Sequence, residues 1–183
     1  MSLELAYWIL GGVLSIFGLL LAVVGTRFAA LLRPLPRSRA ASIILWCGAI
    51  AWFLYHIATV AEVDLAGFPR WVVAALFGGA GLLAFKYLDD LLSLRALGVL
   101  ALFASNELLR AGFGHTPYSC VLAGTTYLLI IAGMWIGAAP YVLRNFIFKT
   151  CDSERFARVA GAVILVVGLA NVVNALFFLP PAS

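Results

Sequence analysis

Six apolar runs, most about twenty residues long and separated by short polar connectors, leave this chain few ways to fold. They cover residues 5–28, 41–60, 71–87, 91–111, 118–141 and 156–179. A helix needs roughly 20 apolar residues to cross the hydrocarbon core of a bilayer. Inside that core an α-helix satisfies its backbone N–H and C=O groups within one segment, as an open strand does not. The expected fold is an all-α integral membrane protein: one domain over residues 1–183, a bundle of six transmembrane helices joined by short loops. Only 11% of the residues are charged and the mean hydropathy is +1.09, whereas a soluble domain carries about 25% charged residues.

The connectors set the orientation. With the N-terminus outside, the inner side holds Arg27, Arg33, Arg37, Arg39, Lys86, Arg95, Arg144, Lys149, Arg155 and Arg158, against Arg70 and Arg110 outside. An excess of Lys and Arg marks the cytoplasmic side, so both termini are expected outside, in the periplasm if the membrane is a bacterial inner membrane. The net charge of +4 does not point to nucleic acid, because it comes from these connectors. No basic n-region precedes the first run, which is read as a retained span rather than a signal peptide.

Small residues lie at helical spacing in two spans. Gly11, Ser15, Gly18, Ala22 and Gly25 form a seam along span one, and Gly161, Gly168 and Ala175 recur every seven residues in span six. Such faces let helix backbones approach closely. Pro34 and Pro36 are expected to stop span one, Pro140 to kink or end span five, and Pro180 and Pro181 to end span six. The connector that follows Pro140, RNFIFKTCDSER, is the most polar stretch, and its FIF is too short to establish an interfacial helix.

Span four breaks the apolar pattern. At 100° per residue, Asp89, Arg95, Asn106, Glu107 and Arg110 share about a third of its circumference. Ionisable groups facing lipid are costly, so this stripe is expected to face protein or water. Its inner end, with Asp89 and Asp90 near Lys86 and Arg95, reads as a charge-balanced loop anchor.

The orientation gives the outer end company. His56 in span two, Asn106, Glu107 and Arg110 in span four, Thr125 and Thr126 in span five, and Asn171 and Asn174 in span six all fall in the outer half. These eight residues are the expected polar pocket, open to the outer side. Glu107 and Arg110 pair across one turn, and His56 brings a side chain that titrates near neutral pH. The function expected is small-solute or ion handling at that pocket. The competing reading has Asn, Thr and His bridging helices while Arg110 reaches the headgroups. In that case the chain is a structural or assembly subunit whose small-residue faces serve partner helices or a second copy.

Chemistry beyond binding has little support in the residues. Cys47, Cys120 and Cys151 sit at three depths with no metal or disulfide spacing. His115, the only other histidine, lies in an outer loop, so paired haem ligation would need that loop to fold inward. Of the acidic residues, Glu62 and Asp64 stand at the exit of span two and Glu107 on span four, single residues with no metal-ligand grouping. There is no G-x-S-x-G serine, no H-E-x-x-H, and the GGAG of residues 78–81 lacks the strand–turn–helix setting of a phosphate loop. No cofactor, metal or catalytic residue is expected, and the partners are the bilayer and other membrane helices.

Overall fold

The computed structural model describes residues 1–59, 68–87, 91–115 and 117–178, and of Lys86 the backbone alone. All regular structure among the described residues is helical: α1 (Leu3–Val24), α2 (Thr26–Leu32), a 3₁₀ turn (Leu35–Arg37), α3 (Arg39–Thr59), α4 (Arg70–Tyr87), α5 (Leu92–Gly112), α6 (Cys120–Ala138), α7 (Pro140–Asp152) and α8 (Glu154–Phe177). Helices α1, α3, α5, α6 and α8 are long and apolar enough to cross a membrane, and the chain is an integral membrane protein. The sixth expected span, α4, has 18 residues, about 27 Å at the helical rise. Its apolar part, Arg70–Phe85, is shorter than the other five. Glu62 and Asp64, the Asp89–Asp90 turn, and Pro180 and Pro181 lie outside the described residues.

Two breaks differ from the sequence expectation. The first run does not continue smoothly towards Leu32. Gly25 has φ +63° and ψ −132°, a backbone region open to glycine and strained for other residues. It ends α1 and starts the short α2, which folds back so that the Phe28 ring meets Phe17 edge-on at 5.5 Å. Pro140 likewise starts a helix rather than ending one. The break is at Ala139, and Pro140 takes the first position of α7, where a missing N–H costs nothing.

The expected loop after Pro140 is thus a thirteen-residue helix. Pro140, Ile147 and Thr150 are buried along one face, and Phe146 packs edge-on against Phe156 at 5.5 Å. Arg33 stands over the Phe148 ring at 5.9 Å, which ties α7 to the turn that follows α2. Ser153 then caps α8 by accepting from the Phe156 N–H at 3.3 Å.

Close contacts fix how the long helices run. A methyl group placed on Gly11 would stand 2.9 Å from Val172 Cγ2, and one on Gly168 would stand 2.5 Å from the Ser15 backbone nitrogen. Gly18 faces Leu165 and Gly161, and Gly161 in turn faces Ala22. The two small-residue faces therefore meet each other, and α1 and α8 are antiparallel. Gly98 meets Gly133 and Gly137 in the same manner, so α5 and α6 form an antiparallel pair. Trp46 donates to the Gly81 carbonyl at 2.7 Å while Leu54 faces Gly78, which makes α3 and α4 antiparallel. Trp52 and Phe103 meet at 5.9 Å, and one turn further on His56 meets Glu107. Helices α3 and α5 therefore run side by side in the same direction.

These directions give the bundle two unlike ends. One gathers the start of α1, the end of α5 and the start of α6 around Leu3, Ala6, Tyr7, Leu10, Leu108, Ala111 and Leu122. The other gathers α2, α7, the start of α8 and most of the arginines around Leu21, Ala29 and Ala157.

Candidate functional site

The polar residues of the first end fall into two groups. Helices α3 and α5 build one of them. His56 lies between aromatic neighbours on its own helix and across the interface: the Trp52 ring is 6.4 Å away and nearly parallel, and Phe103 is 5.8 Å away. Past Phe103, one helical turn on, comes Glu107, whose Oε1 is 3.6 Å from His56 Nε2 and 3.8 Å from Arg110 Nη1. Both distances are longer than good hydrogen bonds, and the His56 contact is ionic only when the imidazole is protonated. His56 Nε2 is buried and has no hydrogen-bond partner, an arrangement that costs free energy. Exposure rises along the three side chains, from 18% for His56 to 36% for Glu107 and 71% for Arg110. One carboxylate thus stands between a shielded imidazole and an open guanidinium, and it can pair with either.

The second group joins α6 and α8. Asn171 is fully buried. Its Nδ2 donates to Thr125 Oγ1 and to the Val167 carbonyl, both at 2.9 Å. The bond to a carbonyl fixes the amide orientation, because a flip would set oxygen against oxygen. Oδ1 is left buried without a donor. The Ser15 hydroxyl, on α1 next to Gly168, is likewise buried and unpaired.

Of the eight residues expected in the pocket, contacts unite His56, Glu107 and Arg110, and separately Thr125 and Asn171. Thr126, fully buried, donates to the Leu122 carbonyl at 2.7 Å, and Asn174 donates to the Ala170 carbonyl at 2.9 Å. Both therefore serve their own helices. Asn106 is exposed on the surface of α5. No hydrogen bond or ion pair among the described residues links the two groups, although all four helices carry them towards the same end.

At the basic end of the bundle, Arg95 of the span-four stripe has an anchoring contact. Arg95 Nη1 donates to the Gly137 carbonyl at 3.2 Å, in the last turn of α6, where free carbonyls and the helix dipole favour a cation.

Another firmly held polar side chain of the first end is Tyr7, which the sequence reading passed over. It is fully buried, its hydroxyl donates to the Tyr118 carbonyl at 2.8 Å, and the same oxygen accepts from the Leu122 N–H at 3.1 Å. Tyr7 thus caps the first turn of α6 from another helix, a place where Ser119 makes no side-chain cap. The available signal was a tyrosine within the first apolar run, since a buried phenol needs a partner.

Among the described residues no three His, Cys, Asp or Glu side chains come together as a metal set. No protein-family model, curated protein or solved structure matches this chain.

Proposed function

We propose that the chain is a six-span protein of a bacterial inner membrane, with both termini outside, that handles a small solute or ion at an outward-facing polar site centred on His56, Glu107 and Arg110. One observation carries the reading: His56 Nε2 is buried without a hydrogen bond, 3.6 Å from the Glu107 carboxylate. A buried polar atom left unpaired in a membrane protein is the kind of feature that marks an ion or proton path. A proton or a small hydrogen-bonding solute placed there would pair the imidazole, while Arg110 holds the carboxylate from the open side. Thr125 and Asn171 form a separate hydrogen-bonded pair on α6 and α8, towards the same end of the bundle. The small-residue faces behind the assembly-subunit reading are spent inside the chain, on each other, which weakens that alternative.

The test is flux in liposomes containing the purified protein and a pH-sensitive dye. A pH gradient should collapse faster than in empty liposomes, and both Glu107→Gln and His56→Phe should slow the collapse severalfold. Rates equal to wild type in both variants would remove the basis of the proposal.

Orientation has its own test. Cys151 of α7 is expected inside, so an impermeant maleimide should spare it in intact cells and reach it after permeabilisation. Burial pushes this thiol above its ordinary pKa, a rise that Asp152 adds to and nearby Arg33 opposes. Less thiolate is present at neutral pH, and the thiolate is the reactive form. Labelling of permeabilised membranes should therefore be slow at pH 7 and should quicken with rising pH beyond the range of an ordinary cysteine. Rapid labelling in intact cells would reverse the topology.

A further inference from the structure

The basic end of the bundle holds a cavity of about 340 Å³, with Arg37, Arg39 and Ser42 on its wall together with Ile43, Phe85 and Leu92. Its rim is held in place from two sides. Ser93, fully buried, donates to the Leu35 carbonyl at 2.8 Å, and Pro36 is buried beside it. The short turn carrying Arg37 is therefore fastened to α5, and Arg39 opens α3 two residues later.

Among the described residues the cavity carries cationic side chains and no anionic one. Neither Arg37 nor Arg39 forms an ion pair among the described residues, whereas Arg158 pairs with Glu154 at 2.6 Å. Guanidinium groups present forked donors that match phosphate oxygens. Ser42 adds a second kind of selectivity. Its hydroxyl already donates to the Ser38 carbonyl at 3.1 Å, so towards a ligand it is an acceptor and favours a hydroxyl donor over another phosphate oxygen. The remaining wall is apolar and belongs to helices α3, α4 and α5, with Ile43 itself exposed on the bundle surface. An occupant that carries an anionic oxygen group such as a phosphate, a hydroxyl and a hydrocarbon portion would match all parts of this wall.

We propose that this cavity is a binding site for an anionic phospholipid with a hydroxyl-bearing headgroup, of the phosphatidylglycerol type. Arg37 and Arg39 hold the phosphodiester, Ser42 accepts from the headgroup hydroxyl, and the chain-bearing side lies along Ile43 and Phe85. Basic pockets at the cytoplasmic ends of membrane helices suit such headgroups. The assignment to the inner leaflet rests on the orientation proposed above, while the binding itself does not.

The full-length protein in phosphatidylcholine nanodiscs, titrated with phosphatidylglycerol and read by native mass spectrometry and thermal stability, tests the site. Phosphatidylglycerol should bind saturably and raise Tm, and phosphatidylcholine should not. Arg37→Gln with Arg39→Gln should weaken binding about 30-fold, each arginine near the membrane surface being worth about 1 kcal/mol. Arg37→Lys with Arg39→Lys should fall between, since the charge remains and the fork is lost. That pair keeps the test decisive if the glutamine variant fails to fold. Ser42→Ala should reduce the preference for phosphatidylglycerol over phosphatidic acid. Equal binding of phosphatidylglycerol and phosphatidylcholine, or a preference that survives the arginine changes, overturns the proposal. Inorganic phosphate or glycerol phosphate binding as tightly as the lipid would make the ligand a soluble anion and overturn the lipid assignment.

Discussion

The α1–α8 interface and the α3–α4–α5 side of the bundle meet the same physical problem in opposite ways. Lipid tails are as apolar as leucine, so helices gain nothing from merely hiding hydrophobic surface from lipid, and association depends on close packing and hydrogen bonds. Helices α1 and α8 use glycine and serine to bring backbone against backbone. On the other side Trp46, Phe53, Phe77 and Phe103 stand between helices and leave an apolar groove of about 260 Å³. The His56–Glu107 pair sits one turn beyond Phe53 and Phe103, past the end of that groove away from the arginines. The glycine side is a close-packed frame. The aromatic side leaves space, and there a polar pair remains short of a hydrogen bond.

The comparison can be broken by substitution. Gly168→Leu has the largest expected effect. The added side chain must displace the α1 backbone at Ser15, and overpacking of this kind should cost about 3 kcal/mol, measured as a loss of unfolding free energy in detergent. Tyr7→Phe should follow, at about 1 kcal/mol, because it removes the remote cap of α6 without changing shape. Trp46→Phe removes one interhelical hydrogen bond from the aromatic side and should cost about 0.6 kcal/mol. Glu107→Gln should change stability least, within about 1 kcal/mol and close to zero, while slowing flux as described above. As a control, a methyl group on Gly79 meets nothing within 4 Å, and Gly79→Ala should be silent. If Gly168→Leu proves as mild as Gly79→Ala, the glycine face is not the frame. If Glu107→Gln proves the most destabilising change, the charge cluster is structural rather than functional.

Particular residues show how far the sequence could be read. The small-residue spacing in the first and last runs was legible because a helical period places those residues on one face. That these faces meet each other, and that Gly25 instead breaks the first helix, was not. Helix α7 was missed although Pro140, Leu143, Ile147 and Thr150 are spaced as one helical face. Arg144, Asn145 and Lys149 dilute its hydropathy, and only the Phe-Ile-Phe cluster stood out. Among the polar residues, His56 and Glu107 could be singled out by type, one on each of two apolar runs. Their contact depends on α3 and α5 being parallel neighbours, a relation that a hydropathy pattern does not contain.

Sequence alone determined the solvent and the long apolar helices, because the energy of placing a residue in lipid or water depends chiefly on that residue. Tertiary structure alone decided which helices touch. It set Tyr7 on the start of α6, paired Asn171 with Thr125, and put an unbonded histidine beside a carboxylate. Those outcomes turn on contacts of a few ångströms between residues up to 115 positions apart, and such contacts are properties of the packed pair rather than of either segment.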